Sequence, residues 1–151
     1  MDVNADYRIL LVDDDEDILW ANKMILSGEG FTVDISTDPK EALEKIKSEQ
    51  YNIFIIDYMM PKIKGDELAY MILAQDKSVG IIFLTGYSEY AEYMKMVGNV
   101  DDFILFKPIS RNELIDAVNS KIIQMQGESD IIVNTDAVEF RSSSTETSHP
   151  L

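Results

Sequence analysis

No cysteine occurs among the 151 residues, so neither a disulfide framework nor a thiolate site is available to this chain. The lone histidine, His149, sits near the C-terminus, away from any cluster of ligands, so a metal would have to be held by oxygen, which favours magnesium, calcium or manganese. Basic residues are also scarce: 13 Lys and Arg stand against 28 Asp and Glu, a formal net charge of -15. The summed field repels phosphate backbones and anionic lipid, which argues against direct binding of nucleic acid or a membrane surface. The start "MDVNADYR" lacks the basic and apolar regions of a signal peptide, and no apolar run approaches the roughly 20 residues of a membrane span. A soluble, cytoplasmic protein is the expectation.

What is present suits one domain with a real core, 46% of the residues being hydrophobic, followed by a tail. Short β-rich runs recur as "YRILLV" (7 to 12), "FTVDI" (31 to 35), "NIFII" (52 to 56), "GIIFL" (80 to 84) and "FILF" (103 to 106). Three are apolar nearly throughout, as strands covered on both faces of a parallel sheet should be, whereas "FTVDI" alternates and suits an edge. Between them lie apolar stripes at helical spacing: Ile18, Ala21, Met24 and Ile25; Ala42, Leu43 and Ile46; Leu68, Met71 and Ile72; Ala91, Met94 and Val97; Leu114, Val118 and Ile122. Asp38-Pro39-Lys40-Glu41 and Ser110-Arg111-Asn112-Glu113 carry helix-capping chemistry, and Gly65 and Gly98 mark turns or helix ends. Strand and helix alternating five times predict an α/β fold, a five-stranded doubly wound parallel sheet with five helices. The domain is expected over residues 6–126. Residues 127–151 form a C-terminal extension in which "DIIVNTDAVEF" could pair as a short strand or hairpin and the Ser/Thr-rich "RSSSTETSHPL" is expected to be disordered.

In an open parallel sheet, sites form beyond the carboxyl ends of the strands. The residues following the apolar runs are Asp13 and Asp14 after the first, Asp57 after the third, Thr85 after the fourth and Lys107 after the fifth. Each alone has an ordinary explanation: an Asp caps a helix, a Thr is common in strands, a Lys sits at a solvated edge. Together they place three carboxylates, a hydroxyl and an ammonium on one edge, a compact site for a divalent cation and a phosphoryl group. Two carboxylates about 4 Å apart repel by roughly 4 kcal/mol at an effective dielectric of 20, and a phosphoryl group of about -1.5 to -2 charge aggravates this. A hard dication would hold such a cluster together. Asp15 and Glu16 have a plainer reason, since acids favour a helix N-terminus.

From "VDDDE" (12 to 16), "IIDYMMPKIKG" (55 to 65), "FLTG" (83 to 86) and "FKPI" (106 to 109), the chain resembles the receiver domain of two-component response regulators over about residues 6 to 126. The resemblance implies that Asp57 is the phosphoacceptor, taking a phosphoryl group from a histidine kinase, a phosphotransfer protein or a small acyl phosphate. It implies that Asp13, Asp14, Asp57 and the backbone carbonyl of Met59 bind Mg2+ (or Mn2+), that Lys107 pairs with the carboxylate or phosphoryl oxygen, and that Thr85 donates to the phosphoryl group. A cis peptide before Pro108 is also implied, cis being cheap only there. Signalling in the family runs through Thr85 and an aromatic residue three positions before the lysine, which is Ile104 here. A bulge returning Phe103 to that place, substitution by Phe106 on the same face, and weak coupling are the alternatives. Met59 and Tyr87 are bulky neighbours of the phosphoryl position, which implies slow self-dephosphorylation.

On this view the chain is a signalling phosphoacceptor rather than an enzyme, catalysing only its own phosphorylation and slow dephosphorylation. A haloacid-dehalogenase-like phosphatase using Asp13 is the enzyme alternative, with Asp15, Thr85, Lys107 and Asp101-Asp102 matching superficially, although in that family the acidic pair follows the lysine. A non-phosphorylated scaffold of the same fold is the third reading. No basic helix-turn-helix follows Gly127, so a stand-alone receiver, or a fragment cut before an effector domain, is expected. Output would then pass to a protein partner through the fourth helix, fifth strand and fifth helix, where Tyr90, Tyr93, Met94 and Met96 offer adaptable side chains, or through a phosphorylation-dependent homodimer.

Overall fold

The computed structural model describes residues 3–86 and 104–133, apart from the side chains of residue 3 and of 128–133. After a 3-10 turn at Val3–Asp6 come β1 (Arg8–Val12), α1 (Glu16–Gly28), β2 (Thr32–Ser36), α2 (Pro39–Ser48), β3 (Ile53–Asp57), α3 (Gly65–Gln75), β4 (Gly80–Thr85), β5 (Ile104–Phe106) and α4 (Arg111–Val133). The helical segment expected around residues 91–97 lies outside the described residues. The strands form one parallel sheet in the order β2-β1-β3-β4-β5. Chain order reverses between β1 and β3, and the crevice beyond their carboxyl ends is where such sheets place ligands.

Burial explains the strand composition. All five residues of β3 are buried, as are Ile9 to Val12 of β1, because helices cover both faces of the sheet. One core layer packs Ile9, Leu11, Ile53, Ile55, Ile82 and Leu84 under α1 and α4, which add Leu19, Leu26, Leu114 and Val118. The other packs Leu10, Val12, Phe54 and Ile56 under α2 and α3, with Ala42, Leu68 and Ile72. Each fully buried Leu or Ile contributes about 1.5–3 kcal/mol relative to exposure. β2 is an edge strand, as its alternation predicts, and carries the charged Asp34 that discourages pairing with another chain.

The amino ends of the strands are tied by a polar network. Arg8 reaches Asp34 Oδ2 at 2.9 Å and Glu49 Oε1 at 2.6 Å, and its guanidinium lies 5.0 Å from the centre of the Tyr51 ring. The Tyr51 hydroxyl donates to Asp34 Oδ2 at 2.7 Å. Asn52 joins three strands, its Oδ1 accepting from Arg8 N, its own N donating to Arg8 O and its carbonyl accepting from Gly80 N.

Three sequence expectations need correction. The buried face of α1 is Leu19, Asn22 and Leu26, while Met24 and Ala21 face outward, because Asn22 is polar yet buried and an apolar stripe passes over it. Met71 of α3 is likewise exposed. The helical pattern also does not stop at Gly127: α4 continues to Val133, so Asp130–Val133 is helix rather than the start of a strand or hairpin. A Cβ at Gly127 would meet nothing within 4 Å, so the residue marks no tight turn, and an interior glycine costs a helix only about 1 kcal/mol. Residues 134–151 lie outside the described residues.

Candidate functional site

Register brings the acids together. Val12 pairs with Ile56 and Asp57 with Leu84, so Asp13, Asp57 and Thr85 leave the sheet side by side, and Lys107 follows Phe106, the partner of Thr85. Asp57 belongs to the ladder of β3 itself. Asp13 and Asp57 are buried, at 1% and 3% exposure, whereas Asp14 is exposed. One carboxylate oxygen from each of Asp13, Asp14 and Asp57 lies within 4.8 Å of the others. At that spacing each pair repels by about 3 kcal/mol at an effective dielectric of 20.

Within the described lining of the site, Lys107 is the one cation that opposes this charge. Its Nζ stands 3.0 Å from Asp13 Oδ2 and 3.3 Å from Asp57 Oδ1. Burial and then the Asp13 carboxylate push Asp57 up to about 7, against the pull of Lys107. Burial also raises Asp13, although Asp15 N donates to its Oδ1 at 2.9 Å. Burial would lower Lys107, but the two carboxylates outweigh it and raise it.

The site opens into a cavity of about 600 Å³ lined by Asp13 to Glu16, Asp57, Met59, Gly86 and Lys107. Asp13 Oδ2 is fully buried and its one described contact is the Lys107 ammonium at 3.0 Å, which leaves a second lone pair for a cation. An all-oxygen donor set with a lone pair to spare on a buried carboxylate oxygen suits a hard dication such as Mg2+. Thr85 is buried, and its hydroxyl donates to the Gly86 carbonyl at 3.2 Å, so it borders the cavity without lining it. The Lys107-Pro108 peptide is cis, as the resemblance implies. Ile104 is half-buried beside Phe83 in register and Phe106 is exposed; Phe103, Tyr87 and Asp101-Asp102 lie outside the described residues.

Local structure fixes these positions. Asp15 caps α1, accepting from Asp17 N and Ile18 N, which holds the β1-α1 turn carrying Asp13 and Asp14. Gly65 N donates to the Tyr58 carbonyl at 2.7 Å, closing the loop after Asp57, and a Cβ there would stand 2.7 Å from the Asp57 carbonyl oxygen. Only glycine allows that approach. The sequence reading missed Lys64, whose Nζ donates to Met59 Sδ at 3.3 Å; a weak contact across a loop leaves no mark in spacing or composition.

Comparison with known proteins agrees with this geometry. Residues 9–119 match the family model described as a response regulator receiver domain. The chain is 33% identical over 128 residues to the response regulator ArlR of Staphylococcus epidermidis, covering 83% of this chain and 56% of that one. It is 29% identical over 133 residues to the response regulator MprA of Mycobacterium ulcerans, covering 88% and 57%. The chain thus spans little more than half the length of these curated relatives. Among solved structures, a CheY-like receiver domain protein from Methanospirillum hungatei superposes with a TM-score of 0.71 at 31% identity, covering 81% of this chain and 98% of that one. TrrA from Thermotoga maritima, solved in complex with Mg(2+)-BeF, superposes at 0.65 with 35% identity, covering 76% and 97%.

Proposed function

The chain belongs to the response regulator receiver domain family, and on that premise we propose that Asp57 accepts a phosphoryl group from a histidine kinase or phosphotransfer protein and that the phosphorylated form engages a protein partner. The observation that carries this reading is the placement of Asp57: buried at the carboxyl end of the central strand, beside two further carboxylates, and 3.3 Å from the ammonium of Lys107. Asp13, Asp14, Asp57 and the backbone carbonyl of Met59 would hold Mg2+ (or Mn2+), whose charge, when bound, offsets the carboxylates and the phosphoryl oxygens.

The remaining chemistry belongs to the chain's own side chains. An Asp57 carboxylate oxygen forms the new O–P bond while the bond from phosphorus to the donor breaks and its electron pair leaves with the donor. Lys107, already touching Asp57, needs only a small shift to meet a phosphoryl oxygen. Thr85 exchanges the Gly86 carbonyl for the phosphoryl group, and β4 passes that shift to Ile104 and Phe106 of β5. We assign residues 6–126 to the receiver unit and 127–151 to an extension that begins within the last turns of α4, with output through the face around β5 or through a homodimer, in the cytoplasm. The phosphatase alternative is disfavoured because Asp15 is committed to capping α1.

The test is incubation of wild type and Asp57→Asn with acetyl phosphate or candidate kinases, with and without a chelator. Mass spectrometry should find one label on Asp57 of the wild type, none on the variant and none once divalent ions are removed. A label on another residue, or transfer indifferent to chelation, would overturn the assignment.

A further inference from the structure

The cavity lining is lopsided in charge. Among the described residues of the lining, five carboxylates, Asp13, Asp14, Asp15, Glu16 and Asp57, face one ammonium, Lys107, which is already held by Asp13 and Asp57. A phosphoryl donor carries close to two further negative charges, and must pass the acidic rim before it meets Lys107. A second cation stands at that rim. Lys64 is exposed on the loop between β3 and α3, and its Nζ rests 3.3 Å from the sulfur of Met59, an exposed residue of the cavity lining. Its backbone is anchored, Lys64 N donating to Glu67 Oε1 at 3.1 Å and Lys64 O accepting from Leu68 N at 3.0 Å. The side chain therefore leaves a fixed point and folds back toward the mouth. A thioether is a weak acceptor that an ammonium gives up easily, whereas a phosphoryl oxygen offers a charge-assisted bond.

We propose that Lys64 is a second phosphate-binding cation of this site, one that leaves the Met59 sulfur to pair with a non-bridging oxygen of the incoming donor before Asp57 attacks. The assignment rests on Asp57 being the phosphoacceptor. With acetyl phosphate, an Asp57 carboxylate oxygen bonds to phosphorus, the bond from phosphorus to the acetate oxygen breaks, and acetate departs with that electron pair. Lys64 exchanges no proton and acts through capture alone.

The experiment measures the second-order rate constant of phosphorylation by acetyl phosphate in saturating Mg2+ for wild type, Lys64→Met, Lys64→Arg and Lys62→Met. Lys62 is exposed on the same loop, and its replacement removes the same net charge. Lys64→Met should slow the reaction about tenfold, the worth of one charge-assisted bond, and flatten its dependence on salt. Lys64→Arg should recover most of the rate, Lys62→Met should stay within about twofold of wild type, and the rise in melting temperature on adding Mg2+ should be the same in all four. An unchanged rate in Lys64→Met, or an equal loss in Lys62→Met, overturns the role of Lys64. A wild type that takes up no label instead overturns the phosphoacceptor assignment itself, a separate result.

Discussion

The two ends of the sheet are built on opposite electrostatic principles. At the amino end the described acids are paired, Asp34 and Glu49 with the terminal nitrogens of Arg8, although Arg8 Nε itself is buried without a hydrogen bond: burial pushes Asp34 up, but the Tyr51 hydroxyl and the Arg8 guanidinium outweigh it and hold the carboxyl below its usual range. At the carboxyl end burial and crowding win, and Asp57 is pushed up to about 7 with Lys107 spread between two acids. One end holds the strands in register, while the other stores repulsion that a cation can relieve. The same sheet therefore separates what stabilises the fold from what makes it responsive.

Replacing single residues can break or sharpen this contrast. The largest effect is expected from Lys107→Met, which strands two buried carboxylates; in chelator, urea unfolding should show a loss of about 3 kcal/mol, and a smaller loss than for Arg8→Met would break the contrast. Asp57→Asn should move the other way, gaining about 2 kcal/mol at pH 8 without divalent ions, because the neutral amide removes the repulsion. Arg8→Met should lose about 1–2 kcal/mol, since its partners are 31% and 43% exposed and solvent screens part of the interaction. It should leave the stabilisation by Mg2+ untouched.

A pH titration reads the carboxyl end alone. Asp57 binds its proton more tightly folded than unfolded, so its contribution to stability is full below pH 4, fades as pH rises toward about 7 and is gone above. Without metal, thermal unfolding from pH 5 to pH 8 should show that decline in wild type and a flatter profile in Asp57→Asn. Because Mg2+ needs the carboxylates ionised, the stabilisation it gives should grow over the same interval.

Much of this was legible in the sequence, for reasons that particular residues make plain. Strands such as β3 announce themselves because burial on both faces demands an unbroken apolar run, and the polar residue ending each run points to the functional edge. The capping of α2 by Asp38, which accepts from Lys40 N at 2.8 Å, and of the last helix by Ser110, which accepts from Glu113 N at 3.1 Å, follows from local chemistry. The face of α1 was harder to read, since Asn22 is buried by its place in the packing and not by its hydropathy. Gly127 misled because a helix tolerates one glycine when its neighbours continue the turn. The approach of Lys64 to Met59, and the hydrogen bond of the Thr85 hydroxyl to the Gly86 carbonyl, depend on rotamers that no spacing encodes.

The strand order carries one more consequence. Asp13, Asp57 and Lys107 come from the beginning, middle and end of the domain and meet only once β1, β3, β4 and β5 have docked in register. A chain still emerging from the ribosome lacks Lys107, and one clipped between β3 and β5 holds each component without the assembly. A mark written on Asp57 would therefore certify a finished molecule, making the signal its own inspection of folding.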